Sequence, residues 1–248
     1  MTVCVFLGPT LARPEAEALL EARCLPPARR GDIAAAVTQH GAQTIGLIDG
    51  FFEQVPAVWH KEILWALAQG VRVAGAASMG ALRAAELSQF GMEGVGRIFE
   101  AYRSGRFEPY DEPFEDDDEV AVAHGPAETG YAATEAMVDI RATLAAAEAA
   151  GLLDRPGRDS LVRTAKALFY KHRTWPEIFD AFEGGPDPLM VSAVKAWLPD
   201  HRVPQKRRDA AQLLCHLAQT PPPPLHPFRF ERTLLWERHG PVSQETLR

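Results

Sequence analysis

A serine in a turn of very small residues is the feature of this sequence with the clearest chemical meaning. Ser78 follows an apolar run at residues 71–74 and precedes a helical pattern that extends to Leu87. The local order Ala-Ala-Ser-Met-Gly is close to the G-x-S-x-G turn that displays a nucleophile, with alanine in place of the first glycine. Such a turn aims the N–H groups of Met79 and Gly80 at a helix start, where they could stabilise an oxyanion. The same pattern also fits an ordinary helix N-cap, since serine is among the best capping residues.

A nucleophilic serine needs a base, and the sequence offers several. His60 and Lys61 lie in the first turns of the helix predicted at residues 56–69, and His124 is a second candidate histidine. Lys61 stands among tryptophan, isoleucine and leucine residues, an apolar setting that favours the neutral amine a base requires. A helical lysine more commonly extends its charge into solvent. The spacing alone leaves the choice among these side chains open.

The elements that position these residues follow from the apolar pattern. In the first half of the chain, short apolar runs alternate with helical patterns, which predicts a parallel sheet with crossover helices. The predicted strands are residues 3–7, 44–48, 71–74 and 118–124. Ligands bind beyond the carboxyl ends of parallel strands, so Asp49 and Ser78 are expected around one crevice.

The fold class and domain organisation can be predicted from length and pattern. The 248 residues are 46% hydrophobic and 24% charged, which is ordinary for a globular protein with a real core. We expect an α/β fold: a parallel-sheet, Rossmann-like N-terminal core with a helical C-terminal half. The predicted parts are a core at 1–130 that carries the serine site, a helical region at 131–220 packed on it, and a Pro-rich tail at 221–248.

Charge and cysteine usage exclude several classes of protein. A net charge of −7 argues against a nucleic-acid binder. Cys4, Cys24 and Cys215 are odd in number and widely separated, which fits buried thiols in a reducing cytosol. The N-terminal apolar run is too short for a signal peptide or a membrane span, so we expect a cytoplasmic protein that does not engage a membrane. The acidic run at 115–119 could hold Mg²⁺ or dock a basic partner, but charge runs are usually solvated, and we predict neither a metal nor a cofactor.

Several long and unusual runs give the sequence a specific resemblance. They are IDGFFEQVPAVWHKEIL at 48–64, GAASMGALRAAEL at 75–87, DDDEVAVAHGPAE at 116–128 and AKALFYKHRTW at 165–175. On these runs, the chain resembles the TfuA-like protein family over roughly residues 1–180.

The resemblance implies a role in sulfur chemistry. TfuA-like proteins accompany YcaO enzymes in the biosynthesis of ribosomally made peptides, where YcaO activates a backbone amide with ATP so that sulfur replaces oxygen. The TfuA-like partner is understood to hydrolyse the C-terminal thiocarboxylate of a ThiS-type sulfur carrier, releasing sulfide, and to help YcaO engage its peptide substrate.

The family site is described as a Ser-Lys pair, and the resemblance assigns its residues here. The serine is Ser78. The lysine that matches best is Lys61, and Lys166 is its competitor. From the residues themselves rather than from the resemblance, we expect the N–H groups of Met79 and Gly80 to hold the oxyanion. Four further side chains are candidates for a supporting role: Asp49, His60, His124 and Lys166.

Two other classes of function stay open from the residues. The protein could be a non-enzymatic adaptor that docks a sulfur carrier and a peptide substrate to a YcaO enzyme, with Ser78 as a cap and Lys61 at the surface. It could also bind a nucleotide phosphate at the helix after Ser78, although no P-loop or G-x-G-x-x-G motif is present.

Overall fold

The chain divides into two compact units. The structure, a computed structural model, describes residues 2–53, 55–125, 133–182, 188–224 and 228–240. One unit is Met1–Ser104 together with Arg207–Arg248, and the other is Gly105–Lys206. The division differs from the predicted parts because the chain leaves the first unit near residue 105 and returns to it at 207.

The first unit is built on a five-stranded parallel sheet, which confirms the predicted α/β class with a parallel-sheet core. The strands are β1 (Val3–Phe6), β2 (Arg23–Leu25), β3 (Thr44–Leu47), β4 (Arg72–Ala76) and β5 (Glu93–Val95). Their order is β2-β1-β3-β4-β5, the doubly wound order in which the direction of winding reverses between β1 and β3. The two edge strands were not predicted because each has only three residues, with exposed or polar positions.

Helices cover both faces of this sheet. They are α1 (Arg13–Leu19), α2 (Asp32–Thr38), α3 (His60–Ala68), α4 (Met79–Leu87) and α5 (Arg97–Ser104). Near the C-terminus follow α10 (Gln205–Gln219), which belongs to this unit from Arg207 on, and α11 (Leu234–His239). On one face, Leu213, Leu214 and Leu217 of α10 join a core with Val5 and Ala74 from the strands. A Cβ on Gly46 would lie 3.1 Å from the Leu217 side chain, so the glycine lets α10 approach the sheet closely.

The second unit is helical among its described residues, as the predicted helical C-terminal half requires. Its helices are α6 (Met137–Ala149), α7 (Arg155–Ala167), α8 (Trp175–Ala181) and α9 (Pro188–His201). The strand predicted at 118–124 is wrong: Asp117–Glu119 forms a 3₁₀ turn and the following residues are irregular. Val120 and Glu119 are nevertheless buried. Residues buried within a helical unit give the same apolar run as a buried strand, so the pattern alone predicts a strand here.

No helix among the described residues is long and apolar enough to cross a membrane.

Candidate functional site

The turn that carries Ser78 is held in a strained backbone conformation. Ala77 has φ = 68°, a left-handed value that is uncommon for a residue with a side chain. The Ser78 N–H donates to the carbonyl of Ala76 at 2.8 Å, two residues back, so Ala77 is the centre of a γ-turn with positive φ. Such turns are rare and cost about 1–3 kcal/mol, and they concentrate at functional sites. The strand therefore ends, and the helix begins, within three residues.

The Ser78 hydroxyl does not cap helix α4. Ser78 occupies the N-cap position of α4, yet its side chain makes no capping hydrogen bond. By contrast, Asp154 accepts from the Gly157 N–H at 2.9 Å at the start of α7, and Thr174 caps α8 in the same way. Ser78 is only 3% exposed. A nearly buried hydroxyl that does not cap is poorly explained by the ordinary capping role, and this contrast is the main structural argument for a chemical role of Ser78.

Two glycines bring the start of α4 against the sheet. A Cβ on Gly80 would lie 1.8 Å from the Leu47 carbonyl oxygen, and one on Gly75 would lie 2.1 Å from the Gly80 carbonyl oxygen. The backbones of β3, β4 and α4 are thus in direct contact, which only glycine permits. The contact fixes Ser78 beyond the carboxyl end of β4, next to the end of β3, as the sequence predicts.

The same close approach removes one predicted oxyanion donor. The Gly80 N–H donates to the Ile48 carbonyl at 3.2 Å, so it holds α4 to the loop after β3. Met79 is the first residue of α4, where an N–H has no acceptor within its own helix. Of the two predicted oxyanion donors, the Gly80 N–H is therefore excluded and the Met79 N–H remains.

Asp49 lies at the adjacent strand end, but its carboxylate is directed at the loop after β1. Oδ2 accepts from the N–H groups of Gly8 at 2.8 Å and Thr10 at 3.2 Å, and Oδ1 accepts from the Thr10 hydroxyl at 2.5 Å. The carboxylate is buried and anchors this loop at the point between β1 and β3 where the sheet changes direction. Doubly wound proteins bind nucleotide phosphates with such N–H groups. A negative side chain already occupies them here, which disfavours the nucleotide hypothesis.

Lys61 is not brought to Ser78. Its Nζ donates to the Glu231 carbonyl at 2.8 Å and lies 5.1 Å from the centre of the Phe230 ring. Both partners belong to the C-terminal segment, and no local sequence pattern predicts that this segment lies at α3. In this structure the Lys61 amine is therefore engaged away from the serine.

His60 and the neighbouring Glu62 have structural contacts. His60 Nε2 is 2.7 Å from Glu86 of α4, and Arg83 bonds both Glu86 and the Val58 carbonyl. These bonds tie the first turn of α3 to the second and third turns of α4, rather than to Ser78.

Glu62 has a structural role that the sequence pattern does not predict. It is fully buried and accepts hydrogen bonds from the backbone N–H groups of Gly31, Ile33 and Trp59 at 2.9–3.2 Å. Burial raises the pKa of Glu62, and these N–H donors oppose the shift. One carboxylate thus joins the starts of α2 and α3. The capping pattern, an acidic residue in the first turn, was the available signal.

Lys166 and His124 lie in the second unit. Lys166 Nζ bonds Asp118, Asp116 at 3.1 Å and Glu119 at 3.0 Å. Burial alone would lower the pKa of Lys166, but these carboxylates outweigh it and raise the pKa. An amine held charged in this way is unsuited to accept a proton. His124 is exposed, and its Nδ1 is 2.8 Å from the Gly125 carbonyl.

The acidic run forms ion pairs rather than a metal site. Glu119 is bound through both oxygens by Arg141 at 3.0 Å, and Arg173 bonds Asp118 at 2.8 Å. Within the described residues, no three His, Cys, Asp or Glu side chains are grouped as metal ligands would be.

A pocket of about 300 Å³ opens beside α2 at the ends of β1 and β2. Its wall is mostly apolar, with three polar side chains at the margin: Arg29, Asp32 and His40. The volume is at the lower limit of small-molecule sites. Pro26 and Pro27, which follow β2, form part of the wall.

Comparison with known proteins gives one family match. A family model described as TfuA-like protein matches residues 49–174, just over half of the 248 residues. The matched region begins at Asp49 and includes Lys61, Ser78 and Lys166. No curated protein matches the chain.

Proposed function

The chain belongs to the TfuA-like protein family, and from this premise we propose that it is a hydrolase with Ser78 as its nucleophile. The substrate is the C-terminal thiocarboxylate of a ThiS-type sulfur carrier, and the sulfide released serves a YcaO enzyme that thioamidates a peptide backbone. The observation that carries the proposal is the nearly buried Ser78 hydroxyl, which sits on a strained turn and makes no capping bond.

The reaction is an acyl transfer in two steps. A base takes the proton of the Ser78 hydroxyl as the oxygen attacks the thiocarboxylate carbonyl, and the Met79 N–H at the start of α4 stabilises the oxyanion. The base then passes this proton to the sulfur, and hydrosulfide leaves as the C–S bond breaks. Water then attacks the ester, which restores the serine and frees the carrier as a carboxylate. The thiocarboxylate is an anion at neutral pH, so the proton that the base delivers to the sulfur is needed for hydrosulfide, rather than the sulfide dianion, to leave.

Of the two lysines, Lys61 suits the role of base better. Lys166 is surrounded by three carboxylates that keep its ammonium charged. Lys61 lies on the helix next to α4 and is engaged by a backbone carbonyl and an aromatic ring. A base must present its lone pair to the serine hydroxyl, so Lys61 can act only after it leaves Glu231.

An adaptor is the second candidate. The amine of Lys61 and the N–H of Gly80 are both used within the fold, which favours a protein that holds a carrier and a peptide on YcaO without chemistry of its own. Both functions require the same partners, so only activity separates them.

Sulfide release from a purified thiocarboxylated carrier tests the proposal. We expect the wild-type protein to release sulfide and Ser78→Ala to lose at least about 10³-fold of that rate, because a serine nucleophile has no substitute. Ser88→Ala is the matched control: Ser88 ends the same helix and its hydroxyl bonds the Ala85 carbonyl at 3.4 Å. Full activity in Ser78→Ala would leave the adaptor as the better account.

A further inference from the structure

The C-terminal segment 228–240, called the strap below, packs on α3 by an aromatic anchor. Trp236 is 2% exposed and lies 6.0 Å from Trp59 and 6.4 Å from Trp65, ring centre to ring centre. Phe230 packs edge-on against Trp236 at 5.1 Å. The strap therefore covers the face of α3 that carries Lys61.

The strap engages the Lys61 amine directly. The Glu231 carbonyl accepts a hydrogen bond from Nζ at 2.8 Å, and the Phe230 ring lies 5.1 Å from Nζ. An ammonium beside an aromatic face and a carbonyl oxygen is favourably placed. These contacts hold the ammonium against the strap and favour its charged form, which cannot accept a proton.

Apart from Trp236, the strap buries little of its surface on α3. Helix α11 has six residues, too few for a helix that is stable alone. Leu234 and Leu235 are 70% and 57% exposed, and residues 231–235 are all exposed. The four prolines at 221–224 that precede the strap are exposed as well. Elements with few buried contacts open locally at low cost, while the sheet stays folded.

Helix α3 keeps its place by contacts that do not involve the strap. His60 bonds Glu86, Arg83 bonds the Val58 carbonyl, and Glu62 holds the starts of α2 and α3 together. Release of the strap would thus free the Lys61 side chain without moving its helix.

We propose that the strap is an autoinhibitory device: it keeps the Lys61 ammonium bound to Glu231 and Phe230, and its release lets this group give its proton to solvent and act as the base for Ser78. The proposal rests on the proposed hydrolase function and names the regulation of that site. Its active state is the strap-open state, and the rate of sulfide release follows the fraction of molecules in that state.

The test uses the full-length protein with Trp236→Ala, which removes the anchor. Two readouts are taken on each sample: sulfide release from thiocarboxylated carrier, and acylation of the Lys61 amine by a limiting amine-reactive reagent, measured by peptide mass spectrometry.

Lys195, an exposed lysine in the other unit, is the internal reference for acylation. Leu235→Ala, an exposed neighbour on the same helix, is the matched control. Trp236→Phe keeps an aromatic anchor, and Phe230→Ala is the second opening variant if Trp236→Ala does not fold.

We expect Trp236→Ala to raise both Lys61 acylation and sulfide release, the latter on the order of tenfold, since activity scales with the open fraction. Trp236→Phe and Leu235→Ala should remain near the wild type. Unchanged acylation of Lys61 would overturn the proposal. So would raised acylation with unchanged or reduced sulfide release, although Ser78-dependent release by the wild type would then leave the hydrolase function standing. If no variant shows Ser78-dependent release, the hydrolase function fails and the inhibitory role fails with it.

Discussion

Two regions of this chain contain polar side chains in opposite settings. At the start of α4, Ser78 is nearly buried on a strained turn, and its hydroxyl makes no capping bond. In the second unit, a charged cluster pairs every cation with carboxylates: Asp116, Asp118, Glu119, Arg141, Lys166 and Arg173. A nearly buried hydroxyl that does not cap its helix is a candidate for chemistry, whereas charged groups that are paired with one another are explained by stability.

The comparison also separates the two candidate lysines. Lys166 is part of the charged cluster, and its neighbours hold the charge in place. Lys61 is engaged by one carbonyl and one ring from a slightly attached segment. The first arrangement is permanent in the folded unit, and the second can be undone locally.

The largest effect is expected where the serine turn meets the sheet. Gly80→Ala would place a Cβ 1.8 Å from the Leu47 carbonyl, so backbone must move. We expect a loss of more than about 4 kcal/mol in the free energy of unfolding, measured by denaturant titration. Ala85→Gly in the same helix should cost about 1 kcal/mol. Equal losses for the two variants would show that the close contact is not needed.

In the charged cluster, Arg141→Met should be nearly as damaging. It leaves Glu119, which is 1% exposed, without its two-pronged partner, and removing one side of a buried pair typically costs about 3–5 kcal/mol. Arg155→Met breaks the exposed pair with Asp111 and should cost at most about 1 kcal/mol. A large loss in stability with no loss of sulfide release beyond that due to unfolding would sharpen the contrast between the regions. A stable Arg141→Met variant would contradict the structural role of the cluster.

Asp139 should make the stability of the second unit depend on pH. It lies half-buried in the first turn of α6, where the Lys206 N–H from the start of α10 donates to it at 2.9 Å, and burial raises its pKa from 3.8 to about 6. The folded state retains a proton that the unfolded state loses, so stability falls as pH rises from about 4 to about 6, by about 2–3 kcal/mol. Asp139→Asn keeps the acceptor and should remove this slope, which thermal or denaturant unfolding at several pH values would measure. An unchanged slope in the variant would assign the pH dependence to other groups.

The smallest effect concerns the strained turn itself. Ala77→Gly relieves the positive φ and should raise the free energy of unfolding by up to about 1 kcal/mol, while a less rigid turn lowers sulfide release. Ala76→Gly, one residue earlier in β4, should instead lower stability by about 0.5–1 kcal/mol. A loss of stability in Ala77→Gly equal to that in Ala76→Gly would mean that the turn stores no strain.

The core of the fold could be predicted because its pattern is local. The strands β1, β3 and β4 are buried apolar runs, and the helices between them have their own periodicity. The edge strands escaped prediction because three residues carry too little pattern. The prediction of a strand at residues 118–124 is wrong because burial against helices gives the same apolar run as a strand.

Only the part of the site that is formed by neighbouring residues in the sequence could be predicted. The small residues around Ser78 specify the sharp turn, and the structure has it. Lys61 meets Glu231, 170 positions away in the sequence, and no local pattern indicates that contact. The sequence predicts the Gly80 N–H as an oxyanion donor, but in the structure this group donates to the Ile48 carbonyl. That hydrogen bond depends on how closely α4 packs on β3, which a local pattern does not show. Contacts between distant segments decide which polar groups remain available.

The most direct test of the central claim is to trap the acyl-enzyme. The wild-type protein is mixed with thiocarboxylated carrier, quenched in acid and analysed by intact and peptide mass spectrometry. The account predicts a covalent carrier adduct, lighter than the sum of the two proteins by one hydrogen sulfide, on the peptide that contains Ser78, and no adduct in Ser78→Ala. Sulfide release by the wild type without any adduct, or with an adduct on another residue, would contradict it.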